Sequence, residues 1–99
     1  MQSSENRRQV VFENKGPSGY VVYHNGTEST KFYMEFIGGN CIFFIWVPSE
    51  KNWEKETGFS LEARDEILAF IANESLKKQC RVSGAYFKVN DSGIAFYTP

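Results

Sequence analysis

Residues 30–47 read TKFYMEFIGGNCIFFIWV, and this stretch decides the fold. Apolar residues recur at every second position on both sides of Gly38 and Gly39, a pattern typical of two β-strands joined by a tight turn. If the two glycines form the loop, Met34 lies opposite Phe43 in the neighbouring strand. The stretch therefore predicts a β-hairpin with one face that is a continuous apolar ribbon.

The other face of this hairpin mixes aromatic and charged side chains. It carries Lys31, Tyr33, Glu35, Ile42, Phe44 and Trp46. A turn predicted at Asn25 and Gly26 carries the pairing back into the preceding strand, which adds Tyr20, Val22 and His24 to the same face. This face is too aromatic for an ordinary solvated surface and too charged for an ordinary core, so it is the main candidate for function.

The whole chain predicts an α+β fold with a mostly antiparallel sheet of about six strands. Four strands form a meander, two helices follow, and a hairpin around Asn90 ends the chain. Ser49 and Gly58 bracket the short first helix, and Ser60 begins a longer helix that ends near Lys78. The apolar stripe of the longer helix is expected to pack on one face of the sheet.

The predicted core consists of the apolar ribbon and the longer helix. Its expected members are Phe32, Met34, Phe36, Phe43 and Ile45 from the sheet and Leu61, Leu68 and Ile71 from the helix. Trp53 is expected to have a structural role as the contact of Phe59, which follows the glycine that ends the first helix.

The last hairpin is expected to join residues 81–89 to residues 93–97. With a two-residue loop, one side of it carries Ala85, Phe87, Val89, Ile94 and Phe96, and the other side carries Tyr86, Lys88 and Tyr97. Local pattern leaves open which edge of the sheet this hairpin joins.

Length and charge limit the possible classes of protein. The 99 residues are enough for a single domain over residues 9–99, and residues 1–8 are expected to form a mobile tail. A net charge of −1 provides no overall attraction to nucleic acid or to an anionic membrane. We expect a cytoplasmic protein with no membrane association and with two reduced cysteines, because the first residues are polar and no apolar run approaches about 20 residues.

Residues that carry chemistry are scarce in the sequence. His24 is the only histidine, and it is expected on the opposite face of the sheet from Cys41, which argues against a nucleophile and base pair. One histidine and two separated cysteines do not make a zinc ligand set. The glycines of the central turn join two strands and open no helix, unlike a phosphate-binding loop. The sequence therefore predicts no catalytic residue, no metal site and no cofactor.

The favoured hypothesis is a small intracellular, non-enzymatic interaction domain. We expect it to form a homodimer or to bind a protein partner through Tyr20, Lys31, Tyr33, Glu35, Phe44 and Trp46. The alternative is a domain that binds single-stranded nucleic acid, in which bases stack on the same rings. The order of strands followed by a helix resembles the topology of small proteins of the Pur type, which bind single-stranded nucleic acid. This chain differs from them because it adds a terminal hairpin and lacks their basic strands. An enzyme or small-ligand binder ranks lower.

Overall fold

The computed structural model describes residues 8–80 and 82–99, and in it six strands form one antiparallel sheet in the order β1-β2-β3-β4-β6-β5. The strands are β1 (Arg8–Lys15), β2 (Ser18–Asn25), β3 (Glu28–Gly38), β4 (Cys41–Trp46), β5 (Tyr86–Val89) and β6 (Gly93–Tyr97). The helices are α1 (Trp53–Thr57) and α2 (Arg64–Lys78), each preceded by a single 3-10 turn, Glu50–Asn52 and Leu61–Ala63. The predicted α+β fold, with four strands, two helices and a final hairpin, is confirmed.

Three tight turns shape the meander, and each has glycine as the first of two loop residues. Gly16, Gly26 and Gly39 have φ values of 69°, 67° and 63°, whereas the residue after each has a negative φ. Positive φ at the first position only is the requirement of a type II′ hairpin turn. The loop residues are therefore Gly26-Thr27 and Gly39-Asn40, one position later than the sequence predicted.

This change of loop shifts both predicted registers by two residues. Met34 lies opposite Ile45 rather than Phe43, and Val21 lies opposite Phe32 rather than Thr30. Because side chains alternate with a period of two, a two-residue shift changes the partners and by itself moves no side chain to the other face; Ile42, at an irregularity in β4, is the exception described below.

The core lies between one face of the sheet and the two helices. Phe43 and Phe96 stack with ring centroids 4.3 Å apart, and Trp53 stacks on Phe32. Of the ribbon residues predicted to be buried, all but one are at most 3% exposed. The exception is Phe36 near the hairpin end, which is 36% exposed, and Leu61 in the turn before α2 is also exposed. These two residues lie at the margins of the layer, where the helices and the sheet no longer cover each other.

The helix termini depend on residues that are distant in sequence. Gly58 ends α1 with φ 81°, as predicted. At the beginnings, carboxylates replace the predicted serine caps: Glu54 accepts the Leu61 N–H at 2.8 Å, and Asp91 accepts the Glu50 N–H at 3.5 Å. Carboxylates suit these positions because they also complement the helix dipole.

Trp53 and Arg64 fasten the helices to their surroundings. The indole of Trp53 is fully buried and donates from Nε1 to the Ser60 carbonyl oxygen at 2.9 Å. The structural role predicted for Trp53 is thus confirmed, although the ring of Phe59 packs edge-on against Tyr23. Arg64 is 5% exposed and donates to the Pro48 carbonyl oxygen at 3.1 Å, which ties the segment after β4 to α2.

The last hairpin joins the sheet through β6, which pairs with β4, and leaves β5 as the outer strand. Its loop has two residues, and its register is the one expected for a loop of that length, with Val89 opposite Ile94. The strand predicted from residue 81 begins only at Tyr86, and Arg81 lies outside the described residues.

The other end of the chain differs from its prediction at one residue. Arg8, assigned to the predicted tail over residues 1–8, begins β1 and donates from Nε to the Tyr23 hydroxyl at 3.2 Å. Its guanidinium also lies 4.4 Å from the ring centroid of Phe70 in α2. The remaining seven residues of that predicted tail lie outside the described residues.

Candidate functional site

Both helices pack on one face of the sheet, and no helix of the described residues covers the other face, which we call the open face. It carries all six residues predicted as the binding site, namely Tyr20, Lys31, Tyr33, Glu35, Phe44 and Trp46. The exposed fractions of Tyr20, Tyr33 and Trp46 are 36%, 40% and 47%. For large aromatic side chains in the middle strands of a sheet, this exposure is high.

The rings on the open face lie in pairs. Tyr20 and Tyr33 make an edge-to-face contact with centroids 5.9 Å apart, and Phe44 and Trp46 make another at 4.6 Å. Such geometries stabilise an aromatic pair beyond the area it buries. The rings therefore hold one another in place and form a semi-rigid apolar surface.

A third pair extends this surface and was not assigned to the site from the sequence. Tyr86 and Tyr97 stack with centroids 5.4 Å apart, and Tyr86 is 44% exposed. The loop register correctly placed these two tyrosines and Lys88 on one side of the last hairpin. Since the edge that the hairpin joins was undetermined, the sequence did not show that this side continues the face of Trp46.

Gly93 explains why Phe44 is less exposed than its neighbours. Gly93 lies opposite Trp46 on β6, and a Cβ atom there would lie 2.7 Å from the ring of Phe44. The ring thus covers the bare backbone of the glycine, as aromatic residues do for glycines in sheets. This contact joins the β3-β4 part of the open face to the β5-β6 part.

Ile42 departs from the predicted face. It is half-buried and contacts the core cluster, at the point where β4 has an irregular register between Cys41 and Phe43. A β-bulge redirects a side chain in this way because the extra residue interrupts the alternation.

The open face carries charges of both signs in nearly equal number. The Lys31 ammonium lies 3.6 Å from the Glu13 carboxylate and 4.9 Å from the ring centroid of Tyr20. The indole of Trp46 donates from Nε1 to Glu35 at 3.3 Å. Lys88, another lysine of the face, lies 5.9 Å from the ring centroid of Tyr97. Lys15 at the end of β1 also belongs to this face, because it lies opposite Ser18, which in turn pairs with Glu35. Three lysines against two glutamates leave the face with a charge of only about +1.

Two concave regions border the sheet. A groove of about 280 Å³ lies where β4 ends, between β3 and α1, and Tyr33 and Trp46 form part of its wall. A smaller cleft of about 170 Å³ lies on the helix side beside Arg8 and Glu66. The Arg8 side chain in that cleft already bonds to Tyr23 and to Glu66, so its polar groups serve the fold.

The titratable groups of the described residues are dispersed. His24 is half-buried on β2 opposite Ser29, and burial raises the pKa of the Cys80 thiol, so the reactive thiolate is disfavoured there. Within residues 8–80 and 82–99, no three His, Cys, Asp or Glu side chains are grouped closely enough to hold a metal ion. None of the helices in the described part of the chain is long and apolar enough to cross a membrane.

Comparisons of the chain with models of protein families, with curated proteins and with solved structures found no match.

Proposed function

We propose that the protein is a small, non-enzymatic interaction domain that forms a homodimer through its open face. One observation carries the proposal: the three aromatic pairs of this face lie on the side of the sheet opposite both helices, with four rings each more than a third exposed. Apolar surface of this kind is stabilised when it is removed from water.

The size of the open face supports a second copy as the occupant. Six strands spaced by about 4.8 Å and about six residues long give a flat area of roughly 24 by 20 Å, or about 500 Å². Two copies packed face to face would bury about 1,000 Å², the lower limit for a specific interface. Sheets pack in this way about 10 Å apart with their strands nearly aligned.

The charge distribution supports the same occupant. A two-fold axis brings a surface against itself, so a face that carries both lysines and glutamates in nearly equal number can pair most of its charges with their opposites. Single-stranded nucleic acid, the alternative, is favoured by the position of Lys31 and Lys88 over tyrosine rings. However, Glu13 and Glu35 on the same face oppose a phosphate backbone.

We propose a cytoplasmic location for this dimer. Cys41 and Cys80 are both free thiols, the state that a reducing compartment maintains.

Sedimentation velocity across a concentration series tests the proposal, with wild type, Trp46→Glu and Leu61→Glu compared at low and moderate salt. Leu61 is the matched control because it is 43% exposed on the helix side, against 47% for Trp46 on the open face. We expect a dimer in wild type and in Leu61→Glu at both salt concentrations, since apolar burial depends little on ionic strength. Trp46→Glu should be monomeric because it would bury an unpaired charge.

The same samples are titrated with a labelled oligothymidylate. The wild type could instead be a monomer that binds the oligonucleotide with an affinity that falls steeply as salt rises. That result would refute self-association and support the nucleic-acid alternative. A monomer that binds no oligonucleotide, or a dimer unaffected by Trp46→Glu, would also refute self-association through the open face.

A further inference from the structure

The middle of the sheet contains a stretch of unpaired strand edge. β4 pairs with β3 only over Met34–Gly38 and then leaves the sheet at Pro48, whose carbonyl oxygen is held by Arg64. Along residues 28–32 of β3, β2 is the only strand of the described residues that pairs with β3. This part of β3 therefore has a neighbour on one side and an open edge on the other.

The backbone groups that point to the open edge follow from the hydrogen bonds of β3. The Phe36 N–H donates to the Pro17 carbonyl oxygen at 2.8 Å, toward the β2 side. In an antiparallel strand the N–H and C=O of one residue point to the same side, and successive residues alternate. Ser29 and Lys31 are each an odd number of residues from Phe36. They therefore direct their N–H and C=O groups toward the open edge.

The side chain of Lys31 leaves this edge accessible. Its ammonium reaches across β2 to Glu13 and to the ring of Tyr20, away from the side where β4 is missing. The outer edge of β1 differs, because there the Lys78 ammonium donates to the Val10 carbonyl oxygen at 3.3 Å.

The groove of about 280 Å³ lies directly beside the open edge. Thr30, Lys31 and Tyr33 of β3 form one wall, and Trp46, Pro48 and Glu56 are among the residues opposite. Its volume is near the lower end for ligand sites, which suits a short segment. The edge over residues 28–32 is about 16 Å long at 3.3 Å per residue, enough for a strand of about four or five residues.

We propose that this edge binds an extended peptide segment of another protein as an added strand, antiparallel to β3 and continuing the line of β4. The peptide residue opposite Lys31 exchanges two backbone hydrogen bonds with it, and its side chain lies beside Trp46 on the open face. The adjacent side chains point toward α1, where the Glu56 carboxylate favours lysine or arginine. The backbone hydrogen bonds lie in the plane of the sheet, so their formation does not require dimerisation through the open face.

Selection from a phage-displayed library of random peptides tests the proposal, with wild type, Lys31→Pro and Lys31→Ala as targets. Proline removes the edge-facing N–H and places its ring on the edge, while the bonds of Thr30 and Phe32 to β2 remain. Alanine removes the side chain and keeps the backbone. Selected peptides should bind wild type and Lys31→Ala within about threefold. They should bind Lys31→Pro at least about tenfold more weakly, since one backbone hydrogen bond is lost and the ring obstructs the approach that the second bond requires.

An N-methyl scan of a selected peptide gives a second readout that uses only wild-type protein. Methyl groups on alternate peptide nitrogens should abolish binding, and those on the intervening nitrogens should leave the affinity within about threefold, since only every second N–H faces β3. NMR shifts of the Ser29 and Lys31 amides should saturate with the same affinity. Three outcomes would each overturn the proposal. The selection yields no peptide that binds wild type more tightly than Lys31→Pro, or Lys31→Ala loses as much affinity for the peptides as Lys31→Pro does. The third is an N-methyl scan in which the loss of affinity does not alternate with a period of two.

Discussion

Truncation of Phe43 to alanine is the sharpest test of the core, because its partner variant Phe36→Ala should behave differently. The sequence predicts both residues to be buried, and they lie opposite each other on β3 and β4. In the structure Phe43 is fully buried and stacked on Phe96, whereas Phe36 is 36% exposed near the hairpin end. Two substitutions of the same chemistry therefore probe two different depths of one cross-strand pair.

The expected costs follow from these depths. Phe43→Ala leaves a closed cavity and removes a ring stack, so it should lower the free energy of unfolding by about 3–5 kcal/mol. Phe36 buries about two thirds of its ring, and water can fill the notch left by alanine, so about 1–2 kcal/mol is expected there. A domain of this size is stable by about 5–15 kcal/mol, which makes the first loss a large fraction of the total.

Urea denaturation followed by tryptophan fluorescence measures both losses, provided that the slope of free energy against urea stays constant among the variants. Thermal unfolding should show a fall of roughly 12–40 °C for Phe43→Ala, at about 4–8 °C per kcal/mol for a domain of this length. Equal losses for the two variants, or a loss below about 1 kcal/mol for Phe43→Ala, would refute the placement of α1 and α2 relative to the β3-β4 hairpin.

Three further predictions concern single positions. Gly93→Ala should destabilise the protein more than Gly58→Ala in urea denaturation. A Cβ atom at Gly93 meets a backbone oxygen and an aromatic ring. A Cβ atom at Gly58 meets open space, so the cost there is only the strain of an alanine in the left-handed conformation, about 1 kcal/mol. Arg64→Ala should cost more than about 2 kcal/mol because the side chain is buried and the half-buried Pro48 carbonyl loses its donor. Asp91→Ala should cost less than about 1 kcal/mol because that carboxylate is exposed and lies 4.0 Å from the guanidinium. Equal thermal shifts for the two variants would contradict this difference. Burial raises the pKa of the Cys80 thiol above its unfolded value, so less of the reactive thiolate is present in the native protein. Iodoacetamide at mildly alkaline pH should therefore alkylate Cys80 more slowly in the native protein than in urea. Equal alkylation rates, measured by mass spectrometry, would show that the thiol is accessible.

Much of the candidate site was predictable because face membership is a local property. The alternation through Lys31, Tyr33 and Glu35 determines which side chains share a side, and this holds whatever the register, provided that any shift is even. The turns illustrate the limit of local reasoning. The sequence predicts glycine as the turn residue, but a type II′ turn places it first in the loop, so both predicted registers differ from the observed ones by two residues.

The sequence by itself determined the α+β class, the order of strands and helices, and the composition of the two faces of the central hairpin, since each follows from periodicity and turn residues within short stretches. Only the tertiary structure decided that β6 lies beside β4, where Phe96 stacks on Phe43 and Gly93 fits under Phe44. It also decided that β4 leaves the sheet early, because buried Arg64 holds the segment at Pro48. These features depend on packing between residues distant in sequence, which no local pattern encodes.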